Sequence, residues 1–411
     1  MDAGPGGDAV TQPVERLAAA VARVLDGHLA TLETITAIPS HASVVGGAER
    51  VAAVLLPLLE RLGFSIEEHP QVPLPEGMEW VARIMTPGME QADLAPTWSL
   101  RRRGDGGPVL LLGDLDTAFP EPAHHRFPLR WEGTRLYGPG IADMKGGLVT
   151  MLAALEALEA TGLSCPEVRI VLSSDEQAGS LGSSSVVRSA ATGCPWTLCL
   201  ECARRGGMLM AARGHIGIGE LVATGREAHA GSAYEDGVNA LDLLARVIPP
   251  VNAISDPERG VLVTVTMADA GVRRSVIPGR ATAVLDVRTP SPHAWEATVA
   301  ALAATVAEHG NGMVDVRTFS HRPGVPWTED TDRLLDLVRA EASVLGFEPD
   351  AFASPAAGSS AFAAAAGSVV LDGMGPLGGG LMTPDEHVDT ASIVPRAAVL
   401  AATLHRLEAL R

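Results

Sequence analysis

Cysteine, lysine, aromatic side chains and positive charge are all scarce in this chain, and each shortage excludes something. Four cysteines in 411 residues (Cys165, Cys194, Cys199 and Cys202) are too few for a disulfide framework. The last three carry an iron–sulfur-like spacing, with four residues and then two between them, but the fourth cysteine lies upstream and residues 196–200 read as a strand. Buried free thiols are therefore the expectation. Aromatic residues make up 4% of the chain against 46% hydrophobic overall, so the core is aliphatic. Lys145 is the single lysine, and 31 basic side chains face 49 acidic ones for a formal charge of −18. That balance argues against nucleic acid or an anionic membrane as partner. There is no run of about 18 apolar residues, and residues 1–12 lack the apolar stretch of a signal peptide, so a soluble cytoplasmic protein is expected. The length calls for two domains.

What is present starts at residues 109–117, Val-Leu-Leu-Leu-Gly-Asp-Leu-Asp-Thr. Four apolar residues before a glycine read as a buried strand that delivers Asp114 and Asp116 to its C-terminal end, where ligands gather in α/β sheets. Two acids at this spacing can point the same way and share a cation or a proton; a turn with acids in water is the plain alternative. Residues 13–38 and 47–62 read as helices, the second kinked at Pro57, and residues 65–69 and 80–85 as short strands. Residues 86–107, rich in Pro and Gly and holding Arg101-Arg102-Arg103, read as a solvated loop or hairpin. A long loop at 119–137 leads to Gly138-Pro-Gly-Ile-Ala-Asp143-Met-Lys-Gly-Gly147 and a helix at 148–160. Strands at 168–173 and 196–200 then end in Asp175-Glu176-Gln177 and in Glu201. One acidic strand end means little, but Asp114, Asp116, Asp143, Glu176 and Glu201 on one sheet point to one site.

From about residue 214 the pattern changes to strand 216–224, helix 238–248, strands 261–267 and 282–288, helix 294–309 and strand 313–319. That β-α-β-β-α-β order is ferredoxin-like. Helices at 330–345 and 360–366, a strand at 368–371, a Gly-rich stretch at 373–380 and a closing helix at 391–410 follow. The expected fold is α/β: a mixed-sheet domain formed by residues 1–213 and 320–411, interrupted by a ferredoxin-like lid or dimerisation domain at 214–319.

Seven ordered segments, residues 112–119, 137–147, 173–180, 198–203, 225–240 (with Gly-Arg-Glu-Ala-His229-Ala-Gly), 276–288 and 373–384, carry a resemblance. Through them the chain resembles the M20 metallopeptidase family, the carboxypeptidase G2, acetylornithine deacetylase and aminoacylase group, over nearly its whole length. The resemblance implies a two-zinc site held by a histidine, a bridging aspartate, two glutamates and a late histidine. Asp143 matches the bridging aspartate and Glu201 a terminal glutamate, while Asp114, Gln177 and Met382 stand at the other three positions. An amide and a thioether are poor donors for Zn²⁺. The Asp114, Asp143 and Glu201 carboxylates suit at most one weakly held divalent ion, Mg, Mn or Zn, and no other cofactor is expected.

The same resemblance assigns roles. Glu176 matches the general base, Asp116 the aspartate beside the first metal ligand, His229 the histidine that a partner subunit inserts at the tetrahedral intermediate, and Arg288 the arginine that takes the substrate carboxylate. Ser359-Ser360 replace a Ser/Thr-Asp pair, and Ser275 an asparagine. A homodimer through the insert, hinge closure and a cis Asp143–Met144 bond are also implied. His124, His125 and His387 read as surface histidines.

Three functions follow. The first is an enzyme acting on an amino-acid-like, N-acyl amino acid or peptide substrate with a free carboxylate. Glu176, Asp116 and His229 are its catalytic set, and Arg288, Ser359, Asp114, Gln177 and Met382 meet the substrate. It has given up two-metal hydrolysis for proton transfer, cyclisation, acyl transfer or condensation. The second is a conventional deacylase or carboxypeptidase with one divalent metal. The third is a non-catalytic binding or assembly protein.

Overall fold

Aliphatic runs without polar alternation build the main sheet. Val109–Asp114 is buried at every position and Val168–Ser173 at all but one, the pattern of strands covered on both faces. The computed structural model describes residues 12–72, 74, 76–89 and 94–410, apart from the Arg205 side chain, so the expectation for residues 1–11 lies outside the described part. The sheet has six strands, ordered Ser65–His69, Thr97–Arg102, Val168–Ser173, Val109–Asp114, Trp196–Cys199 and Val369–Leu371. The last four run parallel, and each of the first two pairs antiparallel with the next strand inward. Alternation sorts the central strand: Val109 and Leu111 join the core under helices Pro13–Thr36, Gly146–Thr161 and Ile393–Arg406. Leu110 and Leu112 join the core on the other face, with Val187 and Phe362 of helices Ser183–Ala191 and Ser360–Ala365.

Because the four strands are parallel, their C-terminal ends share one edge, and every one leads into an acid: Asp114, Asp175-Glu176, Glu201 and Asp372. The insert has its own antiparallel sheet, ordered Leu262–Ala270, Arg280–Thr289, His215–Thr224 and Val314–Arg322, with helices Ala240–Asn252 and Pro292–His309 sharing a separate apolar core. This is the β-α-β-β-α-β order read from the sequence, its last strand running on to Arg322 through a register shift after Ser320.

Several local expectations are corrected. Residues expected as a strand at 80–85 form the helix Glu79–Met85, because Trp80 and Val81 pack with Ile218 and Phe319 of the insert. The supposed loop at 86–107 contains the strand Thr97–Arg102, whose Trp98 and Leu100 are buried; residues 90–93 lie outside the described part. The 119–137 loop holds the helix Glu121–His124 and strands Arg130–Glu132 and Arg135–Tyr137, which form a small sheet with His387–Asp389 and Gly378–Gly379. Strands Leu209–Arg213 and Ala351–Ser354, not foreseen, pair in parallel. The helix Gly47–Arg61 runs through Pro57. All four cysteines are free thiols, three of them buried.

Candidate functional site at the parallel-strand edge

The acids at this edge are fixed by short-range hydrogen bonds. Asp114 accepts from the Ser173 hydroxyl and, at 3.5 Å, from the Ser359 hydroxyl. Asp116 accepts the backbone N–H groups of Glu176 (3.0 Å) and Gln177 (2.8 Å), which pins the turn carrying both side chains. Asp175 takes the N–H of Gly182 (2.8 Å) and Ser183 (3.3 Å) where the next helix begins. Asp143 accepts from Gln177 Nε2 at 3.3 Å, and the Asp143–Met144 peptide is cis, as the resemblance implied. Glu386 ties two loops together by accepting the N–H of Ala142 (3.0 Å), Asp143 (3.1 Å) and Met382 (3.2 Å). Burial raises the pKa of Asp114, Asp116, Asp143 and Glu201. Charges nearby add to it: Glu176 acts on Asp114 and Asp116, and Glu201 on Asp143. Burial pushes Glu386 up to about 7.

Three arginines face these acids. A cavity of about 390 Å³ is walled by Asp143, Glu176, Gln177, Glu201 and Met382 together with Arg204, Arg213 and Arg322. Arg322, ending the last insert strand, places NH1 2.5 Å from Glu176 Oε1, and its NH2 donates to the Glu176 carbonyl at 2.5 Å. Arg213, ending its own short strand, lies between Asp372 (2.7 Å) and Glu201 (3.6 Å). Arg204 approaches the other Glu201 oxygen at 3.5 Å. Both Arg213 and Arg204 lose stability of charge to burial and regain more from these acids, so both pKa values end above the usual arginine range. His321 Nε2 donates to the Gly179 carbonyl at 2.6 Å, and burial followed by the Arg322 charge holds that imidazole at about 4. Among the described residues no three His, Cys, Asp or Glu side chains form a group able to hold a metal ion. No helix among them is long and apolar enough to cross a membrane.

Residues 110–406 match the model of peptidase family M20/M25/M40. The chain belongs to this family. Carboxypeptidase G2 of Pseudomonas sp. (strain RS-16) is 27% identical over 391 residues, covering 92% of this chain and 89% of that protein. Succinyl-diaminopimelate desuccinylase of Methylococcus capsulatus is 27% identical over 331 residues, covering 74% and 85%. The aminopeptidase PepT structure from Bacillus cereus matches with a TM-score of 0.71 at 17% identity, over 93% of this chain and 99% of that one. Human carnosine dipeptidase 1 matches at 0.67 and 15%, over 96% and 99%. These structures establish the M20-type α/β fold, with a mixed main sheet and a separate antiparallel sheet consistent with a lid or dimerisation domain.

In this M20 chain Asp143, Glu176, Gln177, Glu201 and Met382 meet at one cavity, while Asp114, Asp116 and Ser359 are buried outside its wall. Met382 has a left-handed backbone (φ 59°) and an exposed side chain. Two residues assigned from the resemblance lie elsewhere. Arg288 pairs with Asp286 at 2.8 Å on the insert, and exposed His229 accepts the N–H of Gly231 (3.1 Å) and Ser232 (3.0 Å). His124 is not a surface histidine: it is buried, with Nε2 3.3 Å from the Ala37 carbonyl, and burial with the Lys145 charge holds it at about 4. His125 is exposed, His387 lies tilted against the Tyr137 ring with centroids 5.0 Å apart, and none of the three lines the cavity. The arginines and Asp372 were missed. Asp372 had a signal, since it ends an apolar run as Asp114 does; Arg204 stands three residues after Glu201; Arg213 and Arg322 had none.

Proposed function

We propose that this M20 chain is an enzyme acting on the acyl or amide linkage of an amino-acid derivative that carries a free carboxylate, with Glu176 as proton acceptor. The observation that carries this reading is the Glu176 carboxylate at the cavity wall, its backbone fixed by Asp116 and its oxygen by Arg322. The relatives favour amide hydrolysis, since one is a carboxypeptidase and another a desuccinylase. In that reaction Glu176 takes a proton from water as its oxygen bonds to the carbonyl carbon, and gives it to the leaving nitrogen as the C–N bond breaks. Asp116 positions the base. Arg288, half-exposed and paired with Asp286, exchanges that partner for the substrate carboxylate when the lid closes. His229 reaches the site from the partner of a homodimer formed through the insert.

The residues present do not fit two zinc ions. Beside Asp143, the Gln177 amide and Met382 thioether are weak donors, and the Glu201 oxygens already face guanidinium groups. One hard divalent ion is the most these carboxylates could take. Asp114, Asp143 and Glu201 are not gathered into a metal-holding group, Asp114 being buried outside the cavity wall, so such an ion, which would polarise the carbonyl, would need the three to come together. A second reading keeps the same base for proton transfer, cyclisation, acyl transfer or condensation; the poor zinc donor set favours it.

Assays of N-acyl amino acids and dipeptides, with and without chelator and Mn²⁺, separate these readings. Turnover is expected for the wild type and is expected to fall about 10²–10⁴-fold in Glu176→Gln. Loss on chelation with recovery in Mn²⁺ selects the one-metal hydrolase. No hydrolysis, but Glu176-dependent reaction of an activated acyl donor with an amine, selects the second reading. Ligand-linked function untouched in Glu176→Gln would remove both and leave a binding protein.

A further inference from the structure

We infer that Arg204 and Arg213 at Glu201, with Arg322 at Glu176, are resident counter-cations: guanidinium groups of the chain itself, standing where a metal-dependent site would keep its ions. This rests on the reading above that the pocket works without two zinc ions. A carboxylate taken out of water needs a cationic partner, and Glu201 has one for each oxygen, Arg213 NH2 at 3.6 Å from Oε1 and Arg204 NH2 at 3.5 Å from Oε2.

Arg213 is a fixed group, its side chain 2% exposed. Its Nε donates to Asp372 Oδ2 at 2.8 Å, while NH2 lies 2.7 Å from the same oxygen but out of line for a hydrogen bond. Asp372 is itself held by the Ser360 hydroxyl (3.0 Å) and the Gly373 N–H (2.6 Å). Asp372, Arg213, Glu201 and Arg204 thus alternate in charge from the end of the Val369–Leu371 strand to the cavity.

Two of the guanidinium nitrogens, Arg213 NH2 and Arg322 Nε, are buried without a hydrogen-bond partner among the described residues, and both side chains wall the cavity. Buried donors left open in this way suit an oxygen supplied by a ligand. Arg204 has the most slack. Its contact to Glu201 is long at 3.5 Å, its other partner is the weak acceptor Cys202 Sγ at 3.4 Å, and its side chain is 23% exposed, so it is the group able to turn toward an incoming carbonyl or carboxylate oxygen. A divalent ion at Glu201 would have to displace two guanidinium groups against like-charge repulsion.

Equilibrium dialysis of Mn²⁺ alone and of Zn²⁺ alone, followed by elemental analysis, tests this without reading turnover. The outcome therefore stands whether or not Glu176 is the base. The wild type is expected to bind either ion weakly, and Arg204→Ala to gain about tenfold or more in affinity. Arg204→Lys keeps the charge and should behave as the wild type, which a merely structural role would not predict. If Arg204→Ala does not fold, Arg204→Gln, which removes the charge and keeps more of the side chain, examines the same competition at Glu201. Tight uptake of one or two ions by the wild type, or no gain in a folded variant, overturns the inference.

Discussion

Arg213 and Asp372 approach to 2.7 Å, Arg288 and Asp286 to 2.8 Å, and the two pairs live in opposite surroundings. At the parallel-strand edge the two side chains are 2% and 1% exposed; on the insert they are 42% and 35% exposed. The insert strand Arg280–Thr289 alternates buried and part-exposed residues, so its charges fall on the wetter face and water screens them. The parallel strands of the main sheet are nearly all buried, so the acids at their C-terminal ends lie inside the protein, and each needs a hydrogen bond, a proton or a cation from another part of the chain. Near-equal geometry therefore stands for a nearly free contact in one sheet and a costly, site-forming one in the other.

The sharpest way to break that contrast is Arg213→Met. It leaves Asp372 and Glu201 short of their partner and should cost about 3–5 kcal/mol in urea unfolding; a loss as small as at a surface pair would erase the distinction. Acid should act next, through His321. Its folded pKa of about 4 lies below the usual 6.5, so the stability it contributes is present above 6.5 and is lost as pH falls toward 4. Between pH 7 and 5 the wild type should lose about 2 kcal/mol more than His321→Asn. Asp114→Asn has the opposite sign. Its raised pKa means that ionisation is disfavoured in the folded state, so the variant should melt at higher temperature, with a gain that grows as pH rises. Asp286→Ala should be smallest, within about 1 kcal/mol of wild type, and a larger loss would show that the insert pair is not screened.

Legibility followed the range of the interactions involved. The insert declared itself because its strands alternate and its helices carry one apolar stripe, both local signals. The acidic strand ends were readable for the same reason, each following a short apolar run. Glu79–Met85 was misread because its helical face is completed by Ile218 and Phe319, far along the chain. Thr97–Arg102 was hidden among prolines and glycines although Trp98 and Leu100 alternate with polar residues. The arginines escaped because their meaning is topological: Arg213 and Asp372 stand 159 residues apart and meet only where two sheets close on one edge. The positions of Arg288 and His229, outside the cavity in this chain, could likewise not be read from motif spacing.

At the centre stands one claim, that the chain's own guanidinium groups, and not a pair of zinc ions, supply the positive charge at the carboxylate edge. Elemental analysis of protein purified without added metal tests it most directly. Zinc well below one ion per chain is the predicted result; two ions per chain near full occupancy would contradict it.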